Sequence, residues 1–442
     1  MSKQSNVFRF LFLLLLGCLW LIACDSADDA DDDESPTEQS DDDNDDSANP
    51  ADDDDDTTPA GRDGLPGWHI LGPDYEEPDP IDGMSFEWDY FMVHNEDGSF
   101  TGSVGYLIAN PRHRTDLFGS LVPQGGNTAI AGQFADDERV AEYKNFGYDH
   151  FSASAEIREF SAEDTASGQF GRMTPLPEEN ALRLEGRTAN FEWDLHVSQD
   201  WPELSGGMET FVPEHGDDVG KLRPTAEQWN VDMLWPLTKV VGTITNRQTD
   251  EEIVIDGHGY RENSWGRWAF NLGGWDFAVA TDRAAQVSWA WQTYHFESTE
   301  LDYLDLGFVR DGELHLEHFR ADAGQLGWRH DDWRFDAVAR QCVPRDALVI
   351  AQNDRYRVEA TVTVDVNEAP MLSDATVATK WFVIFILFPH VSGTIVDRET
   401  EEVVAEFNAQ GGGEFSVYRT AQESMTDAEC ATWGETFQSP LP

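Results

Sequence analysis

From Trp68 to the C-terminus, apolar side chains return at every second position. Tyr356, Val358, Ala360, Val362, Val364 and Val366 alternate with Arg357, Glu359, Thr361, Thr363 and Asp365. A strand turns successive side chains to opposite faces, so this period builds half-buried antiparallel strands, apolar inward and polar outward. It does not suit a helix, whose apolar positions recur every three to four residues. Phe191, Trp193, Leu195 and Val197 repeat the pattern, and Val287, Trp289 and Trp291 place two indoles on one face. Leu304, Leu306 and Phe308 lead through Asp311-Gly312 into Leu314 and Leu316, a hairpin signature. The unbroken apolar run from Trp381 to Phe388 suits a strand buried on both faces and is too short to span a membrane. With no long stretch of helical period, the fold class is all-β.

Two echoes point to duplication. Val240-Val241-Gly242-Thr243-Ile244 running on to Glu251 returns at an offset of 151 as Val391-Ser392-Gly393-Thr394-Ile395 running on to Glu402, with seven of twelve positions identical. Trp88-Asp89-Tyr90 returns as Trp275-Asp276-Phe277. The expected organisation is one β-domain over residues 81–256 and a second over 257–442, each closed into a barrel so that few strand edges stay exposed.

The N-terminal segment has another character. Residues 1–23 read as an export signal: Lys3 and Arg9 precede the uncharged apolar run Phe10–Ala23. Leu21-Ile22-Ala23-Cys24 resembles a bacterial lipobox, which implies lipidation of Cys24 and membrane attachment by lipid in the cell envelope. The region 24–80 is expected to be a disordered acidic tether, because Asp25–Thr58 carries 18 carboxylates and no Lys or Arg. Taking that stretch and the two leading basic residues away changes the net charge from −56 to −40. So acidic a remainder excludes a nucleic-acid partner held by phosphate contacts. In an oxidising compartment Cys342 and Cys430 are the natural disulfide pair, two buried thiols being the alternative.

The densest polar-aromatic stretch is Gly257-His258-Gly259-Tyr260-Arg261-Glu262-Asn263-Ser264-Trp265-Gly266-Arg267-Trp268. Burying Glu262 beside indoles would raise its pKa, as a general acid near neutrality requires. A structural ion pair with Arg261 or Arg267 is the competing reading. His258 reads as a pocket base or a strand-end imidazole bonded to backbone. His315 and His318, flanking Glu317, fall on opposite faces of a strand, so no metal site is expected. Trp88, Trp193, Trp289 and Trp291 suit either a ligand cavity or plain core. The chain carries no nucleophile elbow, phosphate-cradling glycine loop or zinc signature, and no cofactor is expected.

The stretch resembles the Gly-x-Gly-Tyr-x-Asp-His-x-Trp-Gly signature of the lipocalin-like superfamily that includes carotenoid 1,2-hydratases, tocopherol-cyclase relatives and fungal Diels–Alderases. Phe86-Glu87-Trp88-Asp89-Tyr90-Phe91 resembles that group's Glu-Trp-Trp-Tyr opening strand, with Asp89 at the second Trp. The resemblance covers about Ile81 to the C-terminus and implies two lipocalin-like barrels with an apolar small-molecule cavity at or between them. Carried over by position, Tyr260, Trp265 and Gly266 match the motif, Glu262 takes its Asp place and Asn263 its His place. It implies Glu262, Tyr260 and Asn263 as catalytic residues, and Glu87, Trp88, Tyr90, Trp265, Trp268, Trp289 and Trp291 as ligand contacts. Three functions follow as expectations. The first is a lipid-anchored binder of an apolar, isoprenoid-like molecule. The second is a hydratase, cyclase or isomerase using Glu262 as acid, and the third a cell-envelope scaffold.

Overall fold

The computed structural model describes residues 67–73, 84–112, 125–134, 139–202, 229–268, 274–294, 302–336, 341–364, 382–418, 425–435 and 438–442. The signal, Cys24 and the acidic run lie outside them. Gly61–Pro442 forms a single compact unit. It holds two consecutive antiparallel sheets, as the alternating pattern requires, in the double lipocalin-like arrangement.

The first sheet has 11 strands. A meander of four, from the opening strand Met84–Asn95 to Arg139–Gly147, joins a meander of seven, from Phe151–Ala153 to the closing strand Glu251–Trp268. The two meanders meet where the opening strand pairs with the closing strand. The two ends of the sheet come together, Gly125–Phe134 against Phe151–Ala153 and Arg139–Gly147 against Phe160–Asp164, giving a nearly closed barrel. The second sheet repeats the plan with 10 strands in a half-barrel. Its opening strand Gly274–Asp282 again pairs with its closing strand Glu402–Tyr418.

Both sequence echoes fall on equivalent places. Trp88-Asp89 and Trp275-Asp276 each lie on an opening strand, and the longer echo is in each case the hairpin that leads into the closing strand. The turns agree in detail: Asp250 and Glu401 both take φ of 59°. Arg247 Nη1 donates to the Thr188 carbonyl at 2.8 Å, and Arg398 Nη1 donates to the Asn353 carbonyl, each capping the hairpin beside it. After the second turn the register shifts between Ile395 and Val396, leaving Val404 as an extra residue on the closing strand. Beyond this bulge the offset between equivalent residues becomes 152.

Two expected boundaries change. The division at 256/257 falls inside Glu251–Trp268, which is bonded along its length to strands of the first sheet, so the first domain includes the Gly257–Trp268 motif. Trp68 and Ile70, placed within the tether expected over 24–80, are instead fully buried in the first core. Trp68 is fixed there by its amide to the Ser154 carbonyl at 2.9 Å and its indole to the Glu159 carbonyl at 2.8 Å.

Each barrel has its own apolar core, and a third cluster, including Phe86, Met92, Tyr260, Trp275, Phe277 and Tyr303, packs the first domain against the second. Cys342 and Cys430 are disulfide-bonded, tying the strand Gln341–Val343 to the helix Asp427–Gly434. A capping box between Thr426 and Glu429 starts that helix. Among the described residues, no helix is long and apolar enough to cross a membrane.

Candidate functional site at the domain junction

The pairing of Met84–Asn95 with Glu251–Trp268 sorts the motif residues by face, since neighbours on a strand point opposite ways. Glycine permits the close approach of the two strands: a Cβ on Gly257 or Gly259 would run into the carbonyl of His94 or Met92.

The inward face carries an ionic network inside the first barrel. Asp89 accepts two bonds from Arg261, both 2.8 Å, and Arg158 Nε lies 3.2 Å away. Glu87 accepts from Arg158 at 2.6 Å, Asn263 Nδ2 at 3.1 Å and the Ile70 amide at 3.0 Å, with His69 Nδ1 at 3.0 Å. Burial pushes the Glu87 pKa up, but Arg158 and His69 more than offset this and hold it below the usual carboxylate range. Arg158 lies over Trp68 and Arg261 over Trp235, at 4.8 and 4.6 Å from the ring centroids. His69 stacks on Trp265 at 4.6 Å. These residues fill the barrel beside its opening strand.

The outward face meets the second domain. Glu262 is 4% exposed. Its carboxylate accepts from Tyr260 Oη at 2.7 Å and Ser264 Oγ at 3.3 Å, and also from the Trp88 side chain. Burial is the main cause that lifts its pKa to about 7, and the negative charge of Glu414 adds to the rise against the three donors. A carboxyl in that state holds its proton near neutrality and yields it readily, as a general acid must. Arg261 is committed to Asp89 on the other face, so it does not pair with Glu262, and the Arg267 side chain lies outside the described residues.

The second domain closes the site with Trp275, Phe277, Tyr303 and Glu414. Trp275 lies 6.3 Å from Trp88, and Phe277 lies 5.8 Å from Tyr90 and 6.1 Å from Tyr260, between ring centroids. Trp275 Nε1 donates to Glu414 at 2.9 Å, and burial raises the Glu414 pKa. Tyr303 Oη donates to Gln292 at 2.7 Å, and His318 Nδ1 lies 2.5 Å from Asp305 Oδ1. Trp88, Tyr90 and Glu414 are half-buried, whereas Glu262 is buried.

Of the residues singled out from sequence, the fold brings Glu262, Tyr260, Trp88 and Tyr90 together here. Asn263 is one residue from Glu262 and therefore on the inward face, bonded to Glu87 and to the Trp88 carbonyl at 2.9 Å. Glu87 and Trp265 lie in the first barrel, and Trp289 and Trp291 in the second core. The Trp268 side chain lies outside the described residues. His258 Nε2 meets the Thr281 carbonyl at 3.2 Å, the backbone-bonded alternative. His315 stacks on Phe308, on the opposite side of its strand from His318. No group of three metal-ligating side chains occurs among the described residues. Sequence reasoning missed Glu414, Tyr303, Gln292 and Asp305, which reach the site only through the packing of one domain on the other.

No family model matches the chain, and no curated protein matches it. Among solved structures it is similar to a putative AttH from Nitrosomonas europaea, at 12% identity and a TM-score of 0.48, covering 77% of this chain and 95% of that one. It is also similar to kievitone hydratase from Nectria haematococca, at 13% identity and a TM-score of 0.47, covering 81% and 97%. CghA solved with Sch210972 aligns at 10% identity and a TM-score of 0.46, covering 78% and 89%.

Proposed function

We propose that this is a lipid-anchored, exported enzyme that adds to, cyclises or isomerises an apolar alkene-type small molecule, with Glu262 as general acid. The observation that carries the reading is the setting of Glu262. It is buried at an aromatic seam between two domains, its donors are hydroxyls and an indole, and its pKa is about 7. A carboxyl kept for structure is usually met by a cation, as Asp89 is; one kept for proton delivery is left to hold its proton. Trp88, Tyr90 and Trp275 supply the apolar surface that would hold the substrate. Tyr260 and Ser264 orient the acid, and anchoring on Cys24 would keep the site beside a source of lipid-soluble molecules.

The test is incubation of the full chain with a mixture of isoprenoids and unsaturated fatty acids in D₂O, followed by mass spectrometry. Wild-type protein is expected to place deuterium on one component, and Glu262→Gln to lose at least a hundredfold in rate. Equal deuteration by the variant would remove Glu262 from the chemistry. A molecule that copurifies and stays unlabelled would leave a binding protein.

A further inference from the structure

The register of the two sheets pairs residues that the sequence does not align. Glu262 lies directly across from Tyr90 on its opening strand, and Glu414 directly across from Phe277 on the other. Tyr90 and Phe277 are equivalent, each following the echoed Trp-Asp. Glu414 is therefore the second domain's copy of Glu262. The donors are copied too: Trp88 bonds Glu262, and Trp275 Nε1 bonds Glu414 at 2.9 Å.

The two copies do not sit at remote ends of the molecule. The Trp88–Trp275 and Tyr90–Phe277 ring contacts join the two half-sites across one seam. Gly412, two residues before Glu414, lies so close to the Met92 thioether that a Cβ there would clash. Both carboxyls thus flank the same aromatic contact, Glu262 at its floor and the half-buried Glu414 nearer to solvent. The other titratable groups around them are Tyr90, Tyr260, Tyr303 and Asp305, the last bonded to His318, and Asp276, His330, Arg345 and Asp346, which line one cavity with Glu414. Burial raises the pKa of both Tyr90 and Tyr260, so the phenols stay neutral. Two carboxylates sharing an apolar site resist ionising together.

We propose that Glu414 is the second working carboxyl of this site, one member of the pair delivering a proton while the other accepts one. The inference rests on the reading of Glu262 as acid, and it selects addition or removal of water as the reaction. In the addition, protonated Glu262 gives its proton to one carbon of a double bond. Ionised Glu414 takes a proton from a water molecule as the water oxygen bonds to the other carbon. The substrate gains one H and one OH, and the pair finishes with its proton on Glu414. One transfer from Glu414 to Glu262 restores the starting state. The more exposed member serves the water, and the more buried one serves the apolar carbon.

The experiment is ¹³C NMR of full chain labelled at the glutamate δ-carbons, titrated from pH 4 to pH 9, with Glu262→Gln and Glu414→Gln identifying the two signals. Each substitution is expected to lower the midpoint of the remaining carboxyl by about one pH unit. Glu414→Asp, which keeps the charge, is expected to leave the Glu262 midpoint high. If the Glu262 midpoint stays in place in Glu414→Gln, the pair is overturned, whether or not a substrate has been found. The same variants are then read on any component that wild-type protein hydrates in H₂¹⁸O. Loss of ¹⁸O uptake in both supports the pair. Loss in Glu262→Gln alone removes Glu414 and leaves the acid standing, whereas loss in neither removes the acid as well.

Discussion

Asp89 and Asp276 hold the same place in the two domains, inward on an opening strand and one residue after an outward tryptophan, yet their surroundings differ in kind. Asp89 is gripped by Arg261 and approached by Arg158, whereas Asp276 meets the His330 imidazole, with Nε2 at 2.6 Å. Register gives the cause. The residue equivalent to Arg261 on the second closing strand is Gly413, across from Ala278 where Arg261 is across from Phe91. Loss of that side chain removes the guanidinium and its volume together. A small cavity of about 30 Å³, lined by Asp276, Ala278, Trp291, His330, Arg345 and Phe415 among others, lies beside Asp276, room for about one water. The outward faces diverged less, each keeping a tryptophan beside a glutamate. One strand pair therefore carries two independent records, a rebuilt interior and a retained junction.

The largest effect expected from this contrast is on stability, in the first domain. Asp89→Asn keeps the shape and removes the charge that two buried guanidiniums face. Breaking a buried ion pair by neutralising one partner costs about 3–5 kcal/mol. Urea unfolding of the variant is expected to show a loss of that order. A loss under about 1 kcal/mol would mean that the network is solvated or redundant, and the two interiors would be alike after all.

The junction gives the next effect, and its sign depends on pH. Glu262 has a pKa of about 7 in the folded protein against an ordinary 4.5. Below the ordinary value the group is neutral in both states and costs the fold nothing. As pH rises through 7 the unfolded chain gains from ionisation that the folded chain resists, so stability is lost between about pH 4.5 and pH 7. At about 1.4 kcal/mol per unit the loss is roughly 3 kcal/mol. Glu262→Gln is thus expected to be the more stable protein at pH 8 by that order, with little difference at pH 4.5. Thermal melts at the two pH values check it. A variant less stable at both would show Glu262 to be a structural acceptor, like Glu87.

The strands, the all-β class and the duplication were legible because each is written in local spacing. The alternation around Phe191 and Tyr356 survives in the burial of Phe191, Trp193, Leu195, Tyr356, Val358, Ala360 and Val362. The Val240 echo was legible because a turn's requirements, such as a left-handed residue and a capping arginine, fix residue types at short range. What spacing hid was the pairing of Glu262 with Glu414. At the echo's offset of 151, Glu262 falls on Gly413, and one extra residue at Val404 shifts the equivalence by one. A one-residue slip in a strand exchanges its two faces, so the copied carboxylate was set against the wrong side of the sheet. Asn263 was grouped with Glu262 by the motif resemblance. They are neighbours in sequence and occupy opposite faces in the fold. Trp289 and Trp291 show a further limit, since burial alone does not say whether an indole faces a ligand or a core.

The smallest effect tests the second interior directly. Asp276 and His330 are both buried, and Asp276 meets an imidazole where Asp89 meets two guanidiniums. Asp276→Asn retains an oxygen able to accept from His330 Nε2, so the variant exchanges a charged hydrogen bond for a neutral one. Such an exchange costs about 1 kcal/mol. Measured by urea unfolding beside Asp89→Asn, it should lie well below that variant's loss. If the two losses are equal, Asp276 stands against as much positive charge as Asp89 does, and the contrast between the two interiors fails. A loss well below that of Asp89→Asn would put the contrast between the two interiors on measurement.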